Sequence, residues 1–123
     1  MLLSLDFSSQ TPIYQQIRNQ IVLAVADGRL QPGQRIPSMR ALADETGINM
    51  MTVSKAYQLL KQEGYIITDR RKGATVAQKT GTPQIKEDTI NALRLHLSEL
   101  RLAGMTKEQI SDLMEGLYKE AGL

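Results

Sequence analysis

The sequence predicts a mostly α-helical protein that contains one small β-hairpin. Apolar residues recur at helical spacing in five segments of the chain. Two short runs rich in β-branched residues lie between the third and the fourth of these segments. With 123 residues, 41% of them hydrophobic, the chain holds enough apolar side chains for one small domain and a short appendage.

The composition excludes several kinds of site. The chain contains no cysteine and a single histidine, which rules out disulfides, thiolate zinc sites, cysteine nucleophiles and metal sites built from several imidazoles. Because there is no catalytic cluster and no glycine-rich phosphate cradle, we expect neither enzymatic activity nor a cofactor or metal. No apolar run approaches the ~18 residues of a membrane span, and the first residues lack a signal-peptide pattern. We therefore expect a cytoplasmic protein.

Thr11 and Pro12 mark the start of the first helix, with Thr11 as the N-cap and Pro12 at the first helical position. Gly28 ends this helix. The segment Arg29–Pro37 contains a Pro-Gly pair and a second proline, which predicts a constrained loop. The inner face of the helix consists of Ile13, Ile17, Ile21, Ala24 and Val25.

A tight turn separates the second and third predicted helices. Ser38 is placed to cap the second helix, which Thr46 and Gly47 end after about two turns. Asn49 caps the third helix, which ends before Gly64. The inner stripe of the third helix consists of Val53, Ala56, Tyr57 and Leu60, and its outer face begins with Met50, Met51, Thr52, Ser54 and Lys55.

A basic tip joins the two predicted strands, Tyr65–Thr68 and Ala74–Ala77. The tip contains Arg70, Arg71 and Lys72 and ends at Gly73. Three cations on a short loop are placed to contact a polyanion, although the same charges also suit a solubilising surface turn.

Two amphipathic helices follow the hairpin. The first is predicted over Gln84–Leu102, and Gly104 separates it from the second, which Thr106 and Gln109 open with a capping box. Because this region is too short to build a core of its own, its apolar stripes need a partner surface. The stripes consist of Ile90, Leu93, Leu97 and Leu100 in the first helix and Ile110, Leu113, Met114 and Leu117 in the second.

The order of the first elements is that of a winged helix-turn-helix domain, which we place at residues 1–78. A helix with a polar outer face fits the major groove of duplex DNA, which is about 12 Å wide. The helix starts at Ser38 and Asn49 offer free N–H groups to phosphates. Residues 1–80 hold ten Lys and Arg against six Asp and Glu, a net +4, whereas residues 81–123 hold five against seven, a net −2.

The chain resembles the GntR family of bacterial transcription regulators in four segments. These segments are Pro12–Ile17, Pro32–Ala43, Thr52–Leu60 and Glu63–Ile66, in the order and at the spacing typical of the family. The short two-helix tail and the position of Asn49 are similar to those of the YtrA subfamily. The resemblance implies a winged DNA-binding domain that regulates transcription and a tail that dimerises.

The resemblance also implies roles for individual residues. Arg40 corresponds to an arginine that contacts DNA from the second helix, and Gly73 corresponds to a wing glycine that approaches the minor groove. Met50 departs from the Pro or Arg that is usual there, and the wing lacks the family's first glycine and its phenylalanine, so the base preference stays open. The candidate DNA contacts are Ser38, Arg40, Asn49, Met50, Met51, Thr52, Ser54, Lys55, Arg70, Arg71, Lys72 and Gly73.

We expect the tail, residues 84–123, to join two copies of the chain. Its eight stripe residues would form the dimer interface, although they could instead cover the winged domain of their own chain. A twofold dimer presents two reading helices about 34 Å apart and requires an operator of twofold symmetry.

Two classes of function stay open from the residues alone. The first is a homodimeric repressor that binds a double-stranded DNA operator. The second is a winged-helix module that binds protein or RNA without operator specificity. Arg40 and the basic wing favour DNA. A small-molecule effector would fit between the tail helices of a dimer, and the sequence does not identify it.

Overall fold

The computed structural model describes residues 3–71, 73–78 and 84–123, which belong to two compact units, residues 1–79 and 80–123. The first unit contains α1 (Ile13–Ala26), β1 (Arg35–Ile36), α2 (Met39–Thr46), α3 (Met50–Gln62), β2 (Ile66–Asp69) and β3 (Gly73–Val76). The second unit contains α4 (Glu87–Leu102) and α5 (Lys107–Glu120). The predicted fold class is confirmed.

The first helix begins one residue later than predicted, because Pro12, with an extended ψ of 147°, is itself the N-cap. Thr11 does not cap the helix. Its carbonyl accepts a hydrogen bond from Gln16 Nε2 (2.9 Å), and its amide donates to Ser9 Oγ (3.1 Å). The Pro12 carbonyl accepts the first helical hydrogen bonds, from the amides of Gln15 and Gln16. Pro12 therefore ends the preceding segment instead of occupying the first helical position.

Two glutamines of α1 hold the N-terminal segment against the helix. Gln16 Oε1 accepts from the Asp6 amide (2.8 Å), and Gln16 Nε2 donates to the Asp6 carbonyl (2.8 Å). Gln20 pairs in the same way with the amide and carbonyl of Ser4. The glutamines are four residues apart on one helix face, and their partners are two apart on one side of an extended segment. The segment before α1 is thus held in place by glutamine side chains. Each of their amides pairs with one backbone N–H and one C=O, as a neighbouring strand would.

Within the described residues, the sheet has one strand more than the sequence predicts. The antiparallel order is β1-β3-β2. The predicted loop over residues 29–37 contains β1, because Ile36 completes the core, with 2% of its surface exposed, while its backbone pairs with Ala74. The predicted hairpin is confirmed, and each strand is shifted by one residue.

A single hydrophobic cluster holds the first unit together, and it contains the predicted inner stripe of α3. At roughly 1.5–3 kcal/mol for each large apolar side chain removed from water, this cluster is the main source of stability. Its members are Ile17, Ile21, Ala24, Leu30, Ile36, Leu42, Ala43, Val53, Ala56, Tyr57, Leu60, Ile66, Ala74 and Val76.

In the second unit, α4 and α5 form a helical hairpin. The predicted capping box is confirmed, since Thr106 Oγ1 accepts from the Gln109 amide (3.2 Å) and Gln109 Oε1 accepts from the Thr106 amide (2.9 Å). The helix α4 begins at Glu87, three residues later than predicted. Neither helix has a buried residue. None of the helices in the described ranges is both long and apolar enough to span a membrane.

A half-buried ion pair joins α1 to the end of α3. Arg18 donates through Nε and Nη2 to the two carboxylate oxygens of Glu63, at 2.9 and 2.8 Å. The guanidinium also lies 5.6 Å from the ring centroid of Tyr65. The hydrogen bonds with Glu63 raise the pKa of Arg18, so the guanidinium stays protonated. It fixes the far end of α3 against the first helix.

Removing this pair is expected to destabilise the first unit. For Arg18→Leu we expect the free energy of unfolding to fall by about 2 kcal/mol, because the half-buried carboxylate of Glu63 loses two charge-assisted hydrogen bonds. Arg29→Leu is the matched control, because the side chain of Arg29, which pairs with Asp27 (2.7 Å), is 64% exposed, against 21% for Arg18. Its removal should cost about 0.5 kcal/mol or less. Urea denaturation measures both values, and equal losses would contradict the structural role of Arg18.

Candidate nucleic-acid interface

The start of α2 is capped and exposed. Ser38 has extended dihedral angles, and its Oγ accepts from the Ala41 amide (3.1 Å), which confirms the predicted cap. Arg40 lies in the first turn and is exposed. Its side chain makes no hydrogen bond or ion pair with the residues that the structure describes. Leu42 and Ala43 bury the opposite side of the helix. The guanidinium of Arg40 is therefore free to bind a group outside the chain.

The turn between α2 and α3 is fixed by a glycine and a threonine. Gly47 has a φ of 72°, in the left-handed region that favours glycine. Thr46 Oγ1 donates to the Leu42 carbonyl (2.6 Å) and accepts from the Ile48 amide (3.3 Å). Ile48 packs against the core. These contacts define how α3 leaves α2, and they match the predicted tight turn.

The start of α3 presents its side chains to solvent. Asn49 is the N-cap, as predicted, and its Oδ1 accepts from the Met51 amide at 2.7 Å. Met50 and Met51 are exposed, by 47% and 81%. Thr52 and Ser54 are half-buried at the edge of this surface. The outer face that the sequence predicts is thus present in the fold.

Lys55 lies against α1, a position that the sequence did not indicate. Its Nζ is 4.1 Å from the ring centroid of Tyr14, a cation–π contact between α3 and α1. The side chain is exposed, so its charge remains accessible from solvent. Tyr14 therefore belongs to the surroundings of the candidate interface.

The wing is a tight turn that carries exposed cations. Arg70 and Arg71 are both exposed. Asp69 Oδ1 accepts from the Arg71 amide (2.7 Å), and Gly73, with a φ of 71°, pairs with Asp69 across the hairpin. The predicted contact Lys72 lies outside the described residues.

Arg35 is a further exposed cation that the sequence reasoning missed. It lies on β1, paired with Thr75 of β3, while its neighbour Ile36 is buried. Because successive side chains of a strand point to opposite faces, Arg35 is on the outer face of the sheet that forms the wing. The sequence indicates this position only by its charge, because the segment Arg29–Pro37 predicts a loop and not a strand.

The described residues of the first unit thus bring together two capped helix starts, a basic wing and unpaired arginines. In the described parts of the chain, no group of His, Cys, Asp and Glu could hold a metal ion. Helix starts and arginines bind anions, and a protruding helix start fits a groove. Within one compact unit, this is the surface of a DNA-binding winged helix-turn-helix protein.

The comparison with known proteins identifies the family. Residues 11–76 match the model of the bacterial regulatory proteins of the gntR family, and the chain belongs to that family. It is 33% identical to the transcriptional repressor YtrA of Bacillus subtilis over 115 residues. This alignment covers 90% of this chain and 88% of YtrA. The predicted YtrA-like GntR regulator is confirmed, as is the prediction that the chain is not an enzyme.

Two solved structures are similar to the structure of this chain. One is described as a transcriptional antiterminator from Listeria monocytogenes EGD-e, with a TM-score of 0.88 and 32% identity over 100% of this chain and 94% of the other. The other is the DNA-binding domain of AraR in complex with operator ORX1, with a TM-score of 0.56 and 26% identity over 63% of this chain and 99% of that domain. The DNA-binding character of the winged unit agrees with both the family and this likeness.

Two substitutions at Asn49 separate its structural role from its predicted contact with DNA. Asn49→Asp keeps an oxygen for the Met51 amide, so we expect the free energy of unfolding to change by less than about 0.5 kcal/mol, whereas Asn49→Ala should cost about 1 kcal/mol. The added carboxylate of Asn49→Asp should nevertheless weaken binding to random-sequence duplex DNA about tenfold, because it repels phosphates.

Fluorescence anisotropy measures the binding, with Gln62→Glu as the control for charge. Gln62 is exposed at the other end of the same helix, and this variant should bind within about twofold of the unsubstituted protein. Equal weakening by both acidic variants would mean that net charge, and not the start of α3, determines the affinity.

Proposed function

We propose that this chain is a homodimeric, sequence-specific repressor that binds a DNA operator of twofold symmetry in the cytoplasm. The observation that carries this proposal is the orientation of α3. Its inner stripe is fully buried, which leaves the capped first turn and both methionines in solvent. A repressor needs only to occupy its site. The relative YtrA is a repressor, and the AraR domain is seen bound to an operator, which supports the same role for this chain.

In this proposal, residues 1–78 bind the DNA and the start of α3 enters the major groove. Arg40 contacts a base or phosphate from α2, Met50 and Met51 make apolar contacts with thymine methyl groups, and Gly73 brings the wing to the minor groove. Exposed arginines of the wing neutralise backbone phosphates. The remaining proposed contacts are Ser38, Asn49, Thr52, Ser54, Lys55 and the wing residues Arg70, Arg71 and Lys72.

The tail, residues 84–123, is proposed to be the dimer interface. Its apolar side chains are exposed in the single chain, for example Leu93 by 47% and Leu117 by 53%. Each helix carries one apolar stripe, and two helices of 16 and 14 residues cannot bury both stripes by themselves. A second copy supplies an identical surface, and a twofold arrangement buries both.

Selection of duplexes from a random pool tests the DNA-binding proposal. We expect enrichment of an inverted repeat whose half-sites are about one helical turn, or ~34 Å, apart. Arg40→Ala should lower affinity for the enriched duplex by about 1–3 kcal/mol and relax the preference at one position of each half-site.

The control for this selection is Lys61→Ala, which removes an exposed cation from the last turn of α3. It should retain the preference of the unsubstituted protein at every position. A pool without enrichment would overturn the operator proposal and favour a winged module that binds protein or RNA.

A charge placed in the tail stripe tests the dimer. Leu93→Asp should convert a dimer to a monomer in light scattering and weaken operator binding, because a buried carboxylate opposes association. Leu102→Asp is the control, since Leu102 is on the same helix, is 88% exposed and lies off the stripe. Circular dichroism should show that both variants keep their helices. A monomeric unsubstituted protein, or an unchanged mass for Leu93→Asp, would contradict the interface.

A further inference from the structure

The hydroxyl of Tyr57 lies at the junction of the three elements that carry the candidate DNA contacts. Tyr57 belongs to α3 and only 3% of its surface is exposed. Its Oη donates to the backbone carbonyl of Pro37 at a distance of 2.7 Å. Pro37 is the residue between the last residue of β1, Ile36, and the cap of α2, Ser38. A single side chain of the reading helix therefore holds the point where the wing sheet meets α2.

The donor and the acceptor of this hydrogen bond are both unambiguous. Proline has no N–H, so the carbonyl is the single polar backbone group of Pro37. Burial raises the pKa of the Tyr57 hydroxyl, which therefore remains a protonated donor at every pH at which the protein works. A core position alone does not require an oxygen, because phenylalanine would fill the same volume.

The position of the Arg40 side chain depends on this junction. The helix α2 has eight residues, and its buried side chains, Leu42 and Ala43, are the fourth and fifth of them. The side chains of its first two residues, Met39 and Arg40, are exposed. Directly before this end of α2, the hydrogen bond from Tyr57 ties the backbone at Pro37 to α3.

The wing is attached to the same point. Ile36 pairs with Ala74, and Ala74 is adjacent to Gly73, the residue at the base of the wing turn. Because paired strands move together, a displacement at Pro37 changes the position of the wing as well as that of Arg40.

We propose that Tyr57 is a positioning residue for DNA recognition, which sets the start of α2 and the wing relative to the reading helix through its bond to Pro37. This inference depends on the proposed operator binding and deepens it. Tyr57 touches no DNA itself. Its contribution is to the placement of Arg40 and of the wing.

Tyr57→Phe tests the role, because it removes one oxygen and keeps the ring in the core. We expect affinity for the selected operator to fall about fivefold, the equivalent of one hydrogen bond of about 1 kcal/mol. Affinity for random-sequence duplex should stay within about twofold, since phosphate attraction is not directional. The matched control is Tyr65→Phe, which also removes a phenolic hydroxyl from the first unit and keeps its ring beside Arg18. Tyr65 is not one of the proposed DNA contacts, so operator affinity should not change.

A second measurement distinguishes positioning from plain stability. Selection with Tyr57→Phe should relax the same base position that Arg40→Ala relaxes. The double variant should lose less operator affinity than the product of the two single losses, because part of the Tyr57→Phe effect passes through Arg40 and the rest through the wing. A purely structural hydroxyl would lower the melting temperature and leave the base preference intact.

The outcomes also separate this inference from the proposed function. Unchanged operator affinity for Tyr57→Phe, or losses that multiply in full in the double variant, would overturn the positioning role and leave the repressor proposal standing. An unsubstituted protein that enriches no sequence would overturn the proposed function and this inference together.

Discussion

The fold depends above all on the burial of one side of α3. Val53, Ala56 and Leu60 are fully buried, and Tyr57 is nearly so. Turning the helix by one residue, about 100°, would replace Val53, Tyr57 and Leu60 in the core by the polar Ser54, Gln58 and Lys61. The cost would be roughly 1.5–3 kcal/mol for each large apolar group exposed. The core therefore fixes which side of α3 meets the solvent. Every candidate contact on this helix follows from that constraint and not from local preference.

The sequence predicted what is encoded locally. Helical stripes and caps such as Ser38, Asn49 and Thr106 are determined within a few residues, and the structure has all three. The features that the sequence did not predict are a strand and a hydrogen-bonded segment whose partners are distant in the chain. The strand β1 exists only because residues 35 and 36 meet residues 74 and 75, and Gln16 orders Asp6 across ten positions. Thr11 was assigned as a cap by its type, while the extended ψ of Pro12 moved the helix start.

The candidate interface also contains features that the local sequence predicts and features that depend on tertiary packing. The exposed starts of α2 and α3 were predictable, because a cap and a polar outer face are both visible in the residues. The surroundings of Lys55 were not, since its contact with Tyr14 arises from the packing of α1 on α3. Tyr57 was assigned to the core from its spacing, and spacing carries no information about the partner of a hydroxyl. Arg35 was hidden by the same missing strand that hid its neighbour Ile36.

The small number of cations on each winged unit makes a dimer the physically reasonable form of a tight binder. In the described part of this unit, the exposed cations outside an ion pair are Arg35, Arg40, Lys55, Lys61, Arg70 and Arg71, whereas Arg18 and Arg29 pair with carboxylates of the fold. Nonspecific affinity rises with the number of phosphates neutralised, so one unit with a handful of arginines binds weakly at physiological salt. Linking two such units makes the second contact intramolecular and raises affinity without any new cation. The dimer interface that we propose for the tail, whose net charge is −2, would meet that requirement.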